Sequence, residues 1–255
     1  MSTFHEIRDY DMKGFGKNYK YLIFDADHTL LDYVADETGA FLELYAEIGM
    51  PITESLMKDS RRLSESKWTE AGLYNVYDEA IQREYHSIYR RHVAGIFEEI
   101  FRLHRFSEDA EKTGKSFLEK LSKQGKLFVG AEEVLQTLSK KMGGRYEIAI
   151  ATNGLSFIQE GRLRNLKKYA SHLFVSEGLG AIKPVPAYFE KLLEGLGANA
   201  DECLMIGDSL HSDVAGANGA GMDSCWYNPK GVENDGYAQP TYEIHALREL
   251  LTLLG

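Results

Sequence analysis

Three short apolar runs in the second half of the chain end alike, and their recurrence is what most limits the fold. "YEIAIATNG" (146–154), "HLFVSEGLG" (172–180) and "ECLMIGDS" (202–209) each pass from apolar residues into polar ones and glycine. "DSCWYNP" (223–229) reads as a further strand, and "YKYLIFDADHTLLDY" (19–33) carries Leu22, Ile23 and Phe24 into two carboxylates, Asp25 and Asp27. Runs this short, bounded by turn residues, read as buried strands. Helical patterns lie between them. Val134, Leu135, Leu138 and Met142 share a helical face that Gly143 and Gly144 would stop, and Phe189, Leu192, Leu193 and Leu196 do the same before Gly197. Ile244, Leu247, Leu250, Leu251 and Leu254 predict a closing amphipathic helix.

Strands alternating with helices of this length predict an α/β fold, a Rossmann-like doubly wound parallel sheet covered on both faces. Such sheets bind ligands outside the carboxyl ends of their strands. Two carboxylates inside a strand would be costly to bury without compensation. Asp25 and Asp27 are therefore expected where the first strand leaves the core.

Residues 34–125 break the alternation. "AFLELYAEIG", "SLMKDSRRLSESKW", "YDEAIQREYHSIYRRHVAGIFEEIFRL" and "GKSFLEKLSKQ" read as successive helices, with Phe41, Leu44, Tyr45 and Ile48 at helical spacing. The predicted organisation is an N-terminal arm (1–18), a catalytic core (19–33 and 126–255) and an inserted all-helical cap domain (34–125). The crossings near 32–36 and 123–128 would act as a hinge pair.

With 255 residues, 44% of them hydrophobic, the chain has ample material for a packed core. A formal net charge of -10 argues against a nucleic-acid polymer as partner. A small anionic metabolite is compatible with it, because local groups or a metal override the global field. The sequence has no apolar run of membrane-spanning length and no secretory segment at its start. Cys203 and Cys225 lie in apolar stretches that suit reduced, buried thiols. A cytoplasmic protein is expected.

The chemistry concentrates at four places: "DADHT" (25–29), "TNG" (152–154), "KP" (183–184) and "GDSLHSD" (207–213). Taken singly, each has an ordinary explanation as a turn, a loop or a helix cap. Together, in this order at successive strand ends, they converge on one site. Asp25, Asp27, Asp208 and Asp213 offer hard oxygen donors without His or Cys, a set that suits Mg²⁺. Thr152, Asn153 and the amide of Gly154 offer donors to phosphate oxygens. Lys183 supplies positive charge against developing negative charge. This is the equipment of phosphoryl transfer, and a carboxylate beside a metal can form an aspartyl-phosphate.

An apolar strand followed by DxDxT, then TNG, KP and GDSLHSD resembles the four motifs of the haloacid dehalogenase (HAD) superfamily, and the insertion resembles its C1 cap. The likeness covers the chain from about residue 19. It implies a nucleophile, Asp25, and an acid, Asp27, that protonates the leaving oxygen and then activates water. Thr152 and Asn153 would hold the phosphoryl group, and Lys183 would neutralise it and orient Asp25. Magnesium would take the Asp25 carboxylate, the Asp27 backbone carbonyl and Asp208, with Asp213 supporting that shell. True dehalogenases lack the second acid, so Asp27 favours a phosphatase. "SEGLGAIKPVPAYFEKLL", "MIGDSLHSDVAGANGAGMDSCWYNP" and "SKWTEAGL" are similar to the bacterial pyrimidine 5′-nucleotidases. The implied substrate is a nucleoside 5′-monophosphate, pyrimidine preferred. The alternatives are another small-metabolite or sugar phosphatase, and a catalytically idle ligand-binding protein.

Trp68, Tyr74, Tyr77, Tyr85 and Tyr89 could stack on a base, although most such residues pack within their own helices. Arg90 and Arg91 are expected on a solvated face. Asp32 is expected in the turn into the cap, and His28 is given no catalytic part.

Overall fold

In the computed structural model, which describes residues 17–254, six strands form one sheet. They are β1 (Tyr21–Phe24), β2 (Glu147–Thr152), β3 (Ala170–Val175), β4 (Cys203–Gly207), β5 (Asp223–Tyr227) and β6 (Tyr242–Ile244). Their order is β3-β2-β1-β4-β5-β6, and every neighbouring pair is parallel. Chain order reverses between β1 and β4, the switch point where such sheets open a crevice at their carboxyl ends. Asp25 and Asp208 each follow directly on one of these two strands.

Side chains of the central strands alternate between the two faces. Leu22, Phe24, Ile148, Ile150, Leu204 and Ile206 join one apolar cluster, while Tyr21, Ile23, Ala149, Ala151, Cys203 and Met205 join another. Both faces are therefore covered, which is why these strands read as continuous apolar runs. The first face carries α5 (Ala131–Leu138) and α10 (Glu249–Leu253), and the second carries α8 (Pro186–Leu196) and α9 (Ala215–Gly219). Two shorter helices, α6 (Ser156–Arg162) and α7 (Ser176–Leu179), follow β2 and β3.

Between β1 and β2 come α1 (Tyr33–Glu47), α2 (Glu54–Glu70), α3 (Glu79–His104) and α4 (Ala110–Lys123). Each starts on a side chain that accepts a backbone hydrogen bond: Asp32, Thr53, Asp78 and Asp109. Phe41, Tyr45, Phe97, Phe101 and Phe117 pack together inside this helical insertion. The two crossings run side by side. Leu31 bridges Leu127 in antiparallel fashion, the Asp32 amide donates to the Lys126 carbonyl at 2.8 Å, and Phe128 donates to Leu30 at 3.0 Å.

Two expectations need correction. The helix predicted through Met142 stops at Leu138, and Met142 is exposed on a separate 3-10 turn. Ser139 ends it by turning its hydroxyl to the Tyr169 carbonyl, a bond that the helical pattern alone does not anticipate. Ile244 belongs to β6 rather than to a closing helix, which is left with five residues. The predicted arm lies outside the described residues up to residue 16; Lys17 and Tyr19 both bond Asp223 at the start of β5. Cys203 and Cys225 are buried and unbridged, as expected. Among the described residues no helix is long and apolar enough to cross a membrane.

Candidate active site

Lys183 is the hub of the crevice. It lies between α7 and α8 and is almost fully buried, with its ammonium 2.6 Å from Asp25 Oδ1, 2.6 Å from Asp213 Oδ1 and 2.8 Å from the Ala151 carbonyl. All three donors are thus engaged, as a buried ammonium requires. Asp213 sits on a single π-helical turn, Leu210–Val214, and its second oxygen accepts from the Ser209 amide at 3.1 Å. Gly207 makes that approach possible. A Cβ there would stand 2.2 Å from Asp213 Oδ2.

Asp25, Asp208 and Asp213 place carboxylate oxygens within 4.8 Å of one another. Crowding has electrostatic consequences. Burial first, then Asp213, push the Asp25 carboxyl up to about 7 against the pull of Lys183. Burial, Asp25 and Asp213 likewise hold Asp208 well above the usual carboxylate range. Burial opposes the charge on Lys183, but Asp213 and Asp25 outweigh it and its pKa is raised. Three acids share one ammonium, and hard oxygen donors so disposed could hold a divalent cation, whose charge would oppose these upward shifts. The Asp27 carboxylate is not one of the three.

The TNG segment is wired differently from expectation. Asn153 clamps Lys183: its Nδ2 donates to the Lys183 carbonyl at 2.9 Å and its Oδ1 accepts the Lys183 amide at 2.8 Å. The Gly154 amide donates to Ser176 Oγ at 3.0 Å, so the donor predicted for phosphate is taken up within the protein. Thr152, buried at the end of β2, accepts from Gln159 Nε2 at 2.7 Å.

Asp27 has partners that the motifs do not contain. Its Oδ1 accepts from Arg162 Nη1 at 2.6 Å and its Oδ2 from Gln159 Nε2 at 2.9 Å. Arg162 Nε donates to Asp36 Oδ2 at 2.8 Å, and Asp36 Oδ1 accepts the amides of Gly125 and Lys126. A signal was present in the sequence. Leu155, Ile158, Gln159 and Arg162 repeat at helical spacing, so two polar residues occupy the buried face of α6. Asp36 and Glu37 do the same on α1, among Ala40, Phe41 and Leu44.

Side chains of the insertion also bond the core through Tyr77 and through α3. Tyr77 donates to the His211 carbonyl at 2.5 Å and its ring lies against Tyr237. On α3, His86 Nε2 bonds Ser176 Oγ at 2.8 Å, and Arg90 pairs with Glu177. Arg90 and Arg91 are both exposed, as expected, and Arg90 in addition joins insertion to core. Trp68 is half-buried, with Tyr74, Tyr85, Tyr89 and His92 edge-on to it. Tyr85 and Tyr89 are buried, Tyr74 and Tyr77 exposed.

Comparison with known proteins places this geometry. The family model described as haloacid dehalogenase-like hydrolase matches residues 19–221. The pyrimidine 5′-nucleotidase PynA of Streptococcus pneumoniae is 33% identical over 92% of this chain and 95% of its own length. The pyrimidine 5′-nucleotidase YjjG of Escherichia coli is 27% identical over 92% of this chain and 98% of its own. A crystal structure of the HAD-hydrolase YfnB of Bacillus subtilis, bound to magnesium and revealing interdomain movement, superposes with a TM-score of 0.78. It is 30% identical and the match covers 94% of this chain and 100% of that one. The chain is a member of the haloacid dehalogenase-like hydrolase family.

Proposed function

We propose that the protein hydrolyses phosphomonoesters through an aspartyl-phosphate on Asp25, with nucleoside 5′-monophosphates, pyrimidine preferred, as its substrates. One observation carries the reading: Lys183 holds Asp25 on one side and Asp213 on the other, with Asp208 alongside, at the carboxyl ends of β1 and β4. A nucleophile fixed by a buried cation and backed by acids is arranged for attack on phosphorus. The predicted magnesium ion fits this donor set: Asp25, Asp208 and the Asp27 carbonyl would hold it, and Asp213 would support them. When bound, magnesium supplies positive charge against the phosphoryl oxygens.

Each step uses a residue of this chain. An Asp25 oxygen bonds to phosphorus as the ester P–O bond breaks, and Asp27 gives its proton to the leaving oxygen. Asp27 then takes a proton from water, whose oxygen attacks the phosphorus and frees Asp25 and inorganic phosphate. Lys183 neutralises Asp25 and the phosphoryl group throughout, and Thr152 and the Asn153 backbone frame the group opposite. The helical insertion acts as a cap over the crevice. The nucleotidase names of PynA and YjjG support the substrate class.

The test is phosphate release from dUMP, UMP and dTMP against AMP, GMP and several sugar phosphates, with Mg²⁺ and then with EDTA, alongside Asp25→Asn. Metal-dependent release, fastest for pyrimidine nucleotides and lost in the variant, is the expected result. Release centred on sugar phosphates would keep the mechanism and refute the nucleotidase assignment.

A further inference from the structure

Arg162 ties the hinge to Asp27. Through Nη1 it reaches the Asp27 carboxylate, and through Nε it reaches Asp36, in the first turn of α1 just beyond the first crossing. Asp36 uses its other oxygen to accept the Gly125 and Lys126 amides, which belong to the second crossing, at 3.0 and 2.7 Å. An unbroken chain of charge-assisted bonds therefore runs from both crossings to one side chain of the crevice. Gln159, one helical turn before Arg162, holds the remaining Asp27 oxygen and the Thr152 hydroxyl as well.

Stability alone is a poor reason for this construction. Buried ion pairs add little net stability over apolar residues of like volume, because both charges must be desolvated. Arg162 and Asp36 are each only 1% exposed, and Arg162 Nη2 is buried without a hydrogen-bond partner among the described residues. What the guanidinium offers is its fork, which can hold two carboxylates in fixed relation where an ammonium on a flexible stem cannot.

We propose that Arg162 is a positioning residue that makes the orientation of the Asp27 carboxylate depend on the hinge, so that Asp27 is aligned when the two crossings are clamped by Asp36. The inference rests on the reading of Asp27 as acid and base given above. Its consequence is specific to one step. Protonation of the leaving oxygen matters for an alkyl phosphate and little for p-nitrophenyl phosphate, whose phenolate departs readily. The ratio kcat/KM reports that first step.

The experiment compares kcat/KM for p-nitrophenyl phosphate and for UMP, or the alkyl phosphate turned over fastest, in Asp27→Asn, Arg162→Lys and Asp36→Asn. Arg162→Lys and Asp36→Asn are expected to lose roughly 10- to 100-fold on the alkyl ester and far less on the aryl ester, the pattern of Asp27→Asn. Equal losses on both esters, or no loss, would overturn the proposal. If Asp27→Asn itself shows no leaving-group selectivity, the reading of Asp27 fails, and that result is distinct from selectivity in Asp27→Asn alone, which refutes only the role of Arg162. Should Arg162→Lys not fold, Asp36→Asn decides: it keeps an oxygen for the two amides and removes the charge that faces Arg162.

Discussion

Tyr77 of the insertion donates its hydroxyl to the backbone carbonyl of His211, in the segment that carries Asp208 and Asp213, at 2.5 Å. A loop of the insertion is thereby fastened to the rim of the crevice by one hydrogen bond. Removing that bond while keeping the ring should weaken the insertion's hold on this rim by about 0.5–1.5 kcal/mol. Tyr77→Phe is expected to raise KM roughly two- to tenfold with kcat nearly unchanged. Steady-state kinetics on the best substrate checks it; a fall in kcat at constant KM would count against the latch.

Gly207 tests how Asp213 is seated. An alanine there puts a methyl group where the Asp213 carboxylate now lies. The acid must move away from Lys183, so Gly207→Ala is expected to cost about 100-fold in kcat and about 1–3 kcal/mol of stability. Kinetics and denaturant unfolding on one preparation measure both.

Lys183→Met leaves Asp25 and Asp213 facing one another without their shared cation. Breaking a buried pair from one side costs about 3–5 kcal/mol, so the unfolding midpoint should fall sharply in metal-free buffer. Activity should be lost with it. A variant of unchanged stability would mean that the two carboxylates do not depend on the ammonium.

Glu37 provides a pH signature away from the acidic cluster. Burial pushes its carboxyl from 4.5 up to about 7, against the hydrogen bond from Ser64 and the charge of Arg61. The folded chain thus keeps this proton after the unfolded chain has lost it. Its contribution favours folding below about pH 4.5 and is lost as the pH rises through 7, a change of about 3 kcal/mol. Glu37→Gln should flatten the stability profile in that window and gain on the wild type above it. Thermal unfolding at pH 5 and pH 8 is the measurement.

The sheet and the acidic cluster were legible because both are written in local patterns. A strand buried on both faces must be apolar throughout, and parallel strands must bring their ends together, so "YLIF" before Asp25 and "CLMIG" before Asp208 put both acids at one edge of the sheet without a structure. The partners of Asp27 were not legible in the same way. Arg162 and Asp36 are 126 positions apart, and nothing local marks either as the other's partner. Only their polar character on otherwise apolar helix faces gave them away. The partner of the Gly154 amide was hidden for a related reason. Its donor went to Ser176, a residue after β3 that the TNG pattern does not mention. The helix end at Leu138 and the strand at Tyr242–Ile244 were likewise set by distant partners, the Tyr169 carbonyl and β5.

The side-by-side pairing of Leu31 with Leu127 bears on how such a protein changes over time. The insertion leaves and rejoins the sheet through the same doorway, so its two ends are neighbours. A segment anchored in this way can be replaced wholesale, lengthened or exchanged with that of a relative while the strands that carry Asp25 and Asp208 keep their register. The insertion and the strands that hold the acidic cluster can thus be inherited separately.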